Sequence, residues 1–269
     1  MTMNKLAYAG AILIAGLVLV AVFAPVIAPH NPEQINIDDA YRAPSRVYPM
    51  GTDSLGRDVF SRIVYAARVA LSVGIVAVGI ASVMGILLGS AAGYIGGRTD
   101  EIIMRFTDLM LCFPSLFLIL SVVAAVGPSI LNIMVVIGLT SWMGIARLIR
   151  AEVLSLKTRD FVTASRALAK SELYIAVRHV IPNGMGPVLV NFVFKIAGAI
   201  LTEAGLSFLG LGVQPPAPSW GNILMEGKAA MGAAWWIIVF PGAAILVTVL
   251  AFNLFGEGLR DALNPRITE

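Results

Sequence analysis

Between residues 69 and 95 the chain carries no charged side chain. A helix rises about 1.5 Å per residue, so roughly 20 consecutive apolar residues cross the hydrocarbon of a bilayer. The rest of the sequence leans the same way: 58% of its 269 residues are hydrophobic and 13% are charged, with a mean hydropathy of +0.86. A soluble domain carries about 25% charged residues, and a soluble core this rich in apolar surface lacks the polar covering it needs. Lipid is itself the apolar phase and removes that need.

Six apolar runs of spanning character follow one another at residues 6–27, 69–95, 102–126, 129–145, 187–211 and 229–255. The expected fold class is therefore all-α, a polytopic membrane protein with about six transmembrane helices. The first run, with Lys5 before it and small residues near Ala24 and Ala28, has elements of a cleaved signal peptide. Its apolar stretch exceeds the about 7–15 residues of a signal core, so it is read as a span. Pro114 and Pro241 lie inside the third and sixth runs and are expected to kink them. In the second run Ala81, Gly85, Gly89 and Gly93 recur every four residues. This small-residue ridge lets two helices approach closely, and is read as a packing surface rather than a moving contact.

Charge placement sets the orientation. The segment 147–186 holds Arg147, Arg150, Lys157, Arg159, Arg166, Lys170 and Arg178 against Glu152, Asp160 and Glu172. The loop after the first span holds Arg42, Arg46, Arg57, Arg62 and Arg68, balanced by Glu33, Asp38, Asp39, Asp53 and Asp58. Positive loops face the cytoplasm, which puts segment 147–186 and both termini there, with Arg260 and Arg266 in the C-terminal tail. Residues 1–68 then form a first unit, a span and an extracytoplasmic loop. That loop ends in an amphipathic stub, in which Phe60, Ile63, Val64, Ala67 and Leu71 share a face that Arg57, Arg62 and Arg68 avoid. The stub is expected at the membrane interface. Residues 69–269 form the second unit.

The segment from Lys157 to Pro182 reads KTRDFVTASRALAKSELYIAVRHVIP. Asp160 is expected to cap one short helix and Ser171 another. Phe161, Ala164, Ser165, Leu168 and Ala169 fall on one low-profile face. Such a piece serves either as plain connection or as a docking surface for a cytoplasmic partner.

These residues resemble a known family. Segment 157–182 is similar to the EAA loop of bacterial ABC-importer permeases, which introduces a coupling helix. Ala164 and the Ile181-Pro182 pair agree with that motif, whereas Thr163 replaces Glu, Ser165 the second Ala, and Ala169 the Gly. The stretches GTDSLGRDVFSRIVYAARVALSVG at 51–74, EAGLSFLGLGVQPPAPSWGNIL at 203–224 and AFNLFGEGLRDALNPR at 251–266 resemble the dipeptide, oligopeptide and nickel permeases, in particular their C-type subunit.

The resemblance implies a transmembrane permease subunit that forms half of a path for dipeptides or oligopeptides. Residues 69–269 would be the permease domain. It also implies four kinds of company: a second homologous permease, two cytoplasmic ATPases carrying ATP and Mg, an extracytoplasmic substrate-binding protein, and the lipid of a bacterial cytoplasmic (inner) membrane. Its coupling residues would be Arg159, Asp160, Phe161, Ala164, Ser165, Arg166, Leu168, Ala169, Leu173, Ile181 and Pro182. A nickel or metal-chelate substrate is the alternative within the family.

The residues add their own exclusions. No G-x-x-x-x-G-K-[ST] is present, so this chain has no phosphate loop of its own. No acid–base pair or nucleophile–base set stands out, so no catalytic residue is expected. His30 and His179 lie far apart without metal-ligand spacing, and Cys112 is the lone cysteine. No cofactor, metal or nucleic acid is therefore assigned to the chain. Lys195 and Glu203 are charges within the fifth run, where each needs protein, water or a partner. Lys195 either lines the path and meets a substrate carboxylate, or pairs with Glu203 or a partner chain, or snorkels. An ion-driven secondary transporter remains the rival class, although no internal repeat is evident.

Overall fold

The computed structural model describes residues 5–263, and they are almost entirely helical. The tail residues 264–266, Arg266 among them, lie outside the described residues. Helix α1 (Lys5–Val22) is followed after a one-residue break by α2 (Ala24–Ile27), where Pro25 occupies the first turn. There its missing N–H costs nothing. A loop with one 3₁₀ turn, Ile37–Asp39, leads to α3 (Val59–Ile95).

At 37 residues, α3 is about 55 Å long and outreaches the roughly 30 Å hydrocarbon layer. Asp58 caps it, its side chain accepting from the Ser61 N–H at 3.0 Å. The expected amphipathic stub is thus no separate interfacial piece but the first turns of this rod. Its arginines also depart from expectation, for Arg57 and Arg62 are buried. They find carboxylate partners inside the protein, Asp53 and Glu226.

The third run is not one straight span. Helices α4 (Gly97–Leu111) and α5 (Ser115–Val126) meet at 87°, with Pro114 at the corner. Proline there supplies no N–H, and its ring disfavours helix at the residue before it. The fourth run becomes α6 (Ile130–Ser141) and α7 (Met143–Leu156), bent by 40° at Trp142. Residues 147–156, read from sequence as the start of a loop, are therefore helix. Short helices α8 (Asp160–Ala167), α9 (Glu172–Ile175) and α10 (Ile181–Asn183) follow, with a π-helical turn at Ala176–Val180. Then come α11 (Met185–Phe208), α12 (Trp220–Ala229) and α13 (Trp236–Leu263), with Pro241 inside α13. Among the described residues four helices are long and apolar enough to span alone, and counting each bent pair as one crossing brings the total to six.

Helix α3 is the centre of the bundle, touching α1, α6, α7 and α11. Its small-residue ridge does what close packing requires. A Cβ on Gly85 would stand 2.6 Å from the Ile145 side chain, one on Gly89 2.4 Å from the Ala146 carbonyl, and one on Gly93 2.9 Å from the Arg150 carbonyl. Helix α1 packs on α13, where a Cβ on Gly10 would lie 2.6 Å from the Phe255 nitrogen. The chain after α1 meets the start of α3 through His30 and Ser61, and Gly258 near the end of α13 lies against Ala7. The start of α1 and the end of α13 accordingly share the face that carries segment 157–182, while residues 28–58 and α12 occupy the opposite face.

Candidate functional site

Segment 157–182 hangs from the end of α7 and returns through α10 to α11. Val162, Ile175 and Val180 are fully buried in a cluster with Ile149 and Val153 of α7. These apolar anchors hold the segment against the bundle and leave its other side free. Phe161, Ala164, Leu168, Ala169 and Leu173 are all exposed, Leu168 and Leu173 to about three quarters. Ser165 is half-buried and its hydroxyl donates to the Phe161 carbonyl at 2.8 Å. Arg159, Asp160, Arg166 and Pro182 are exposed and Ile181 is half-buried.

Two local expectations resolve differently. Ser171 does cap α9, accepting from the Tyr174 N–H at 3.3 Å. Asp160 does not cap α8: Arg159 holds the cap position without a side-chain bond, and Asp160 sits in the first turn. A carboxylate there still complements the helix dipole. The exit from α8 is a Schellman turn. The Ala169 N–H donates to the Arg166 carbonyl at 2.9 Å and the Lys170 N–H to the Ser165 carbonyl at 3.3 Å. Such a turn needs a left-handed residue, and Ala169 takes that place with φ +52°.

Glu172 ties the segment to α3. Its carboxylate accepts from Arg166 at 2.9 and 3.2 Å and from the Tyr94 hydroxyl at 2.5 Å. The Arg166 guanidinium, and then the Tyr94 hydroxyl, hold the Glu172 carboxyl below its ordinary range, while Glu172 pushes Arg166 upward. Nearby, Lys157 donates to the Gly93 carbonyl at 2.9 Å, Arg150 grips Asp100 with two bonds, and Arg147 pairs with Asp108.

Lys195 and Glu203 are not brought together. They are two turns apart and about 80° off alignment on an ideal helix. Glu203 is buried and accepts from the Ser207 hydroxyl at 2.6 Å. Lys195, half-buried, makes no ion pair or hydrogen bond among the described residues. It borders one cavity of about 310 Å³ between α3, α6 and α11, and a second of about 240 Å³ beside α4 and α5.

A third constellation escaped the sequence reading. On the opposite face Asp53 accepts from Arg57 at 2.7 Å and from Arg62, and Glu226 of α12 accepts from Arg57 at 2.9 Å and Arg62 at 2.5 and 3.0 Å. Asp53 also receives the Leu55 and Arg57 N–H groups. Trp220 of α12 donates its indole N–H to the Ile63 carbonyl at 3.1 Å, and Trp236 donates to the Thr52 carbonyl at 3.0 Å. This cluster clamps α12 and the 28–58 loop onto the start of α3.

Comparison with known proteins agrees with the geometry. Residues 85–269 match the family described as binding-protein-dependent transport system inner membrane component. Residues 2–44 match the N-terminal TM domain of oligopeptide transport permease C. The chain is 40% identical to the dipeptide transport system permease protein DppC of Alkalihalophilus pseudofirmus, over 98% of this chain and 87% of that one. It is 38% identical to the oligopeptide transport system permease protein OppC of Bacillus subtilis, over 98% and 87%. It is 42% identical to the glutathione transport system permease protein GsiD of Escherichia coli, over 98% and 88%.

Proposed function

Because this chain belongs to the family of binding-protein-dependent transport system inner membrane components, we propose that it forms half of a peptide path in an ATP-driven importer and joins that path to cytoplasmic ATPases through segment 157–182. It is a permease subunit of the membrane, and the family implies ATPase and substrate-binding partners. The finer assembly proposed is a second homologous permease, two ATPases holding ATP and Mg, and an extracytoplasmic protein that delivers peptide to the 28–58 face. Hydrolysis belongs to the ATPases, and the 157–182 face with both termini lies in the cytoplasm of a bacterial inner membrane.

The observation that carries this reading is the exposed apolar ridge of Phe161, Leu168 and Leu173 on a segment otherwise anchored by Val162 and Ile175. Leucines three-quarters exposed outside lipid ask for a protein groove. When ATP closes the ATPase pair, the docked segment moves with it. Its anchors and the Glu172–Tyr94 bond pass that movement to α7 and α3. The test is ATP hydrolysis by the purified assembly, with and without binding protein and peptide. Ala169→Trp and Leu168→Glu are expected to abolish the stimulation while the chain stays in the membrane. Stimulated hydrolysis that survives both changes, or uptake that persists with no ATPase attached, refutes the docking assignment.

A further inference from the structure

We propose that Lys195 is a carboxylate-binding residue within the path, and that it meets a free carboxylate of the passing substrate. The inference rests on the peptide-import reading and names the group recognised. Asn191, Lys195, Gly198 and Thr202 recur on α11 at spacings of four, three and four, which confines them to about 60° of arc. All four border the 310 Å³ cavity, and Ser141 of α6 faces them across it. A polar stripe on a membrane helix faces water or protein, not lipid. The Asn191 Oδ1 is buried and has no hydrogen-bond partner among the described residues, and Lys195 has none either. Among the described residues no carboxylate pairs with this ammonium group; Glu203, two turns away, accepts from Ser207 instead.

Snorkelling does not account for it. Lys195 lies ten residues into the 24-residue α11, about 15 Å from the helix start and near the middle of this apolar helix. A lysine side chain of roughly 6 Å does not reach the headgroups from there. Gly144 is a close neighbour: a Cβ built on it would stand 4.0 Å from the Lys195 Nζ, in ordinary contact. The cation thus stands at the edge of a cavity that Asn191, Ser141 and Thr202 also line, where an anion would neutralise it. A peptide brings one at its C-terminus and, in some sequences, on an acidic side chain.

The experiment uses the full complex in proteoliposomes with its binding protein, and compares Lys195→Met and Lys195→Arg with the unaltered chain. Three probes are used: a dipeptide, its C-terminal amide, and an amide carrying an aspartate side chain. Comparing variants under one binding protein cancels that protein's own preferences. Lys195→Met is expected to lower uptake of the free acid on the order of tenfold, as loss of a charge-assisted bond does, and to leave the simple amide unchanged. Lys195→Arg should keep most of the activity. A loss for the aspartyl amide as well would show that either carboxylate is served; no loss would assign the C-terminal one. Equal losses for acid and amide would make Lys195 a packing or partner-chain contact and overturn the proposal, as would no loss at all. An unaltered complex that imports no peptide would instead strike the reading beneath it. A second measurement needs no amide substrate. With the exposed Cys112 changed to Ser, Lys195→Cys should regain free-acid uptake after a cationic thiosulfonate and not after an anionic one; no response to either reagent overturns the proposal.

Discussion

At the Val59 end of α3, the end proposed to face outward, Arg57 and Arg62 are buried against Asp53 and Glu226. At its inner end, Arg166 and Glu172 form a comparable ion pair in open water, reached from α3 only through Tyr94. The chemistry is the same and the surroundings are opposite. Outside, two cations and two anions share donors away from solvent, so removal of one strands the others. Inside, each partner is free to exchange its bond for water at little cost. The outer end behaves as a fixed joint and the inner end as one that can be remade, which suits the proposed docking of segment 157–182 on a moving partner.

The largest expected effect breaks the fixed joint. Arg62→Met removes one of the two arginines that Asp53 and Glu226 share, leaving both carboxylates on Arg57 alone, and should destabilise the solubilised chain by about 3–5 kcal/mol, measured by denaturant or thermal unfolding. A change within 1 kcal/mol would mean that the outer cluster is no clamp. Next, Gly89→Ala forces a methyl group to within 2.4 Å of the Ala146 carbonyl and should cost about 1–3 kcal/mol by prying α3 from α7. The same substitution at Gly79, where a Cβ meets nothing within 4 Å, should be harmless in the same assay.

At the inner end the effects shrink and one changes sign. Ala169→Gly relieves a left-handed alanine and should strengthen the turn by about 0.5–1 kcal/mol, seen as slower proteolysis of segment 157–182. The smallest effect concerns pH. Glu172 is held below its ordinary range by Arg166 and Tyr94. Its contribution is therefore complete above the unfolded glutamate value, about pH 4.3, and fades as pH falls through the lowered folded value. Protease protection of the loop should weaken in that acid window and lose its pH dependence in Glu172→Gln. An unchanged profile in that variant would remove Glu172 from the joint.

The apolar runs and their small-residue ridge were legible because lipid demands length and close helix contact demands small side chains, and both leave local patterns. Pro114 announced the break in the third run but not its 87° angle, which depends on what α4 and α5 pack against. Helix α12 begins with a capping box of Ser219 and Asn222, but at ten residues between prolines and an apolar run it is too short to stand out as a span. The outer cluster left only half a trace. Asp53 and Arg57 are four residues apart, but Glu226 lies 169 positions from Arg57 and 164 from Arg62, and no local spacing reports such a partner. Lys195 stood out as a charge in an apolar run, yet the cavity beside it is made by three helices at once and has no signature in any one of them.

The contact between α1 and α13 has a consequence in time. Gly10 and Phe255 lie side by side in space but are separated by most of the chain. At roughly 5–20 residues per second of synthesis, the first helix waits on the order of 10–50 s in the membrane before its partner leaves the ribosome. During that interval its glycine face is open to any other helix or to quality-control proteases. Substitutions at Gly10 are therefore expected to show first as lost yield during biogenesis, before any defect in the finished transporter.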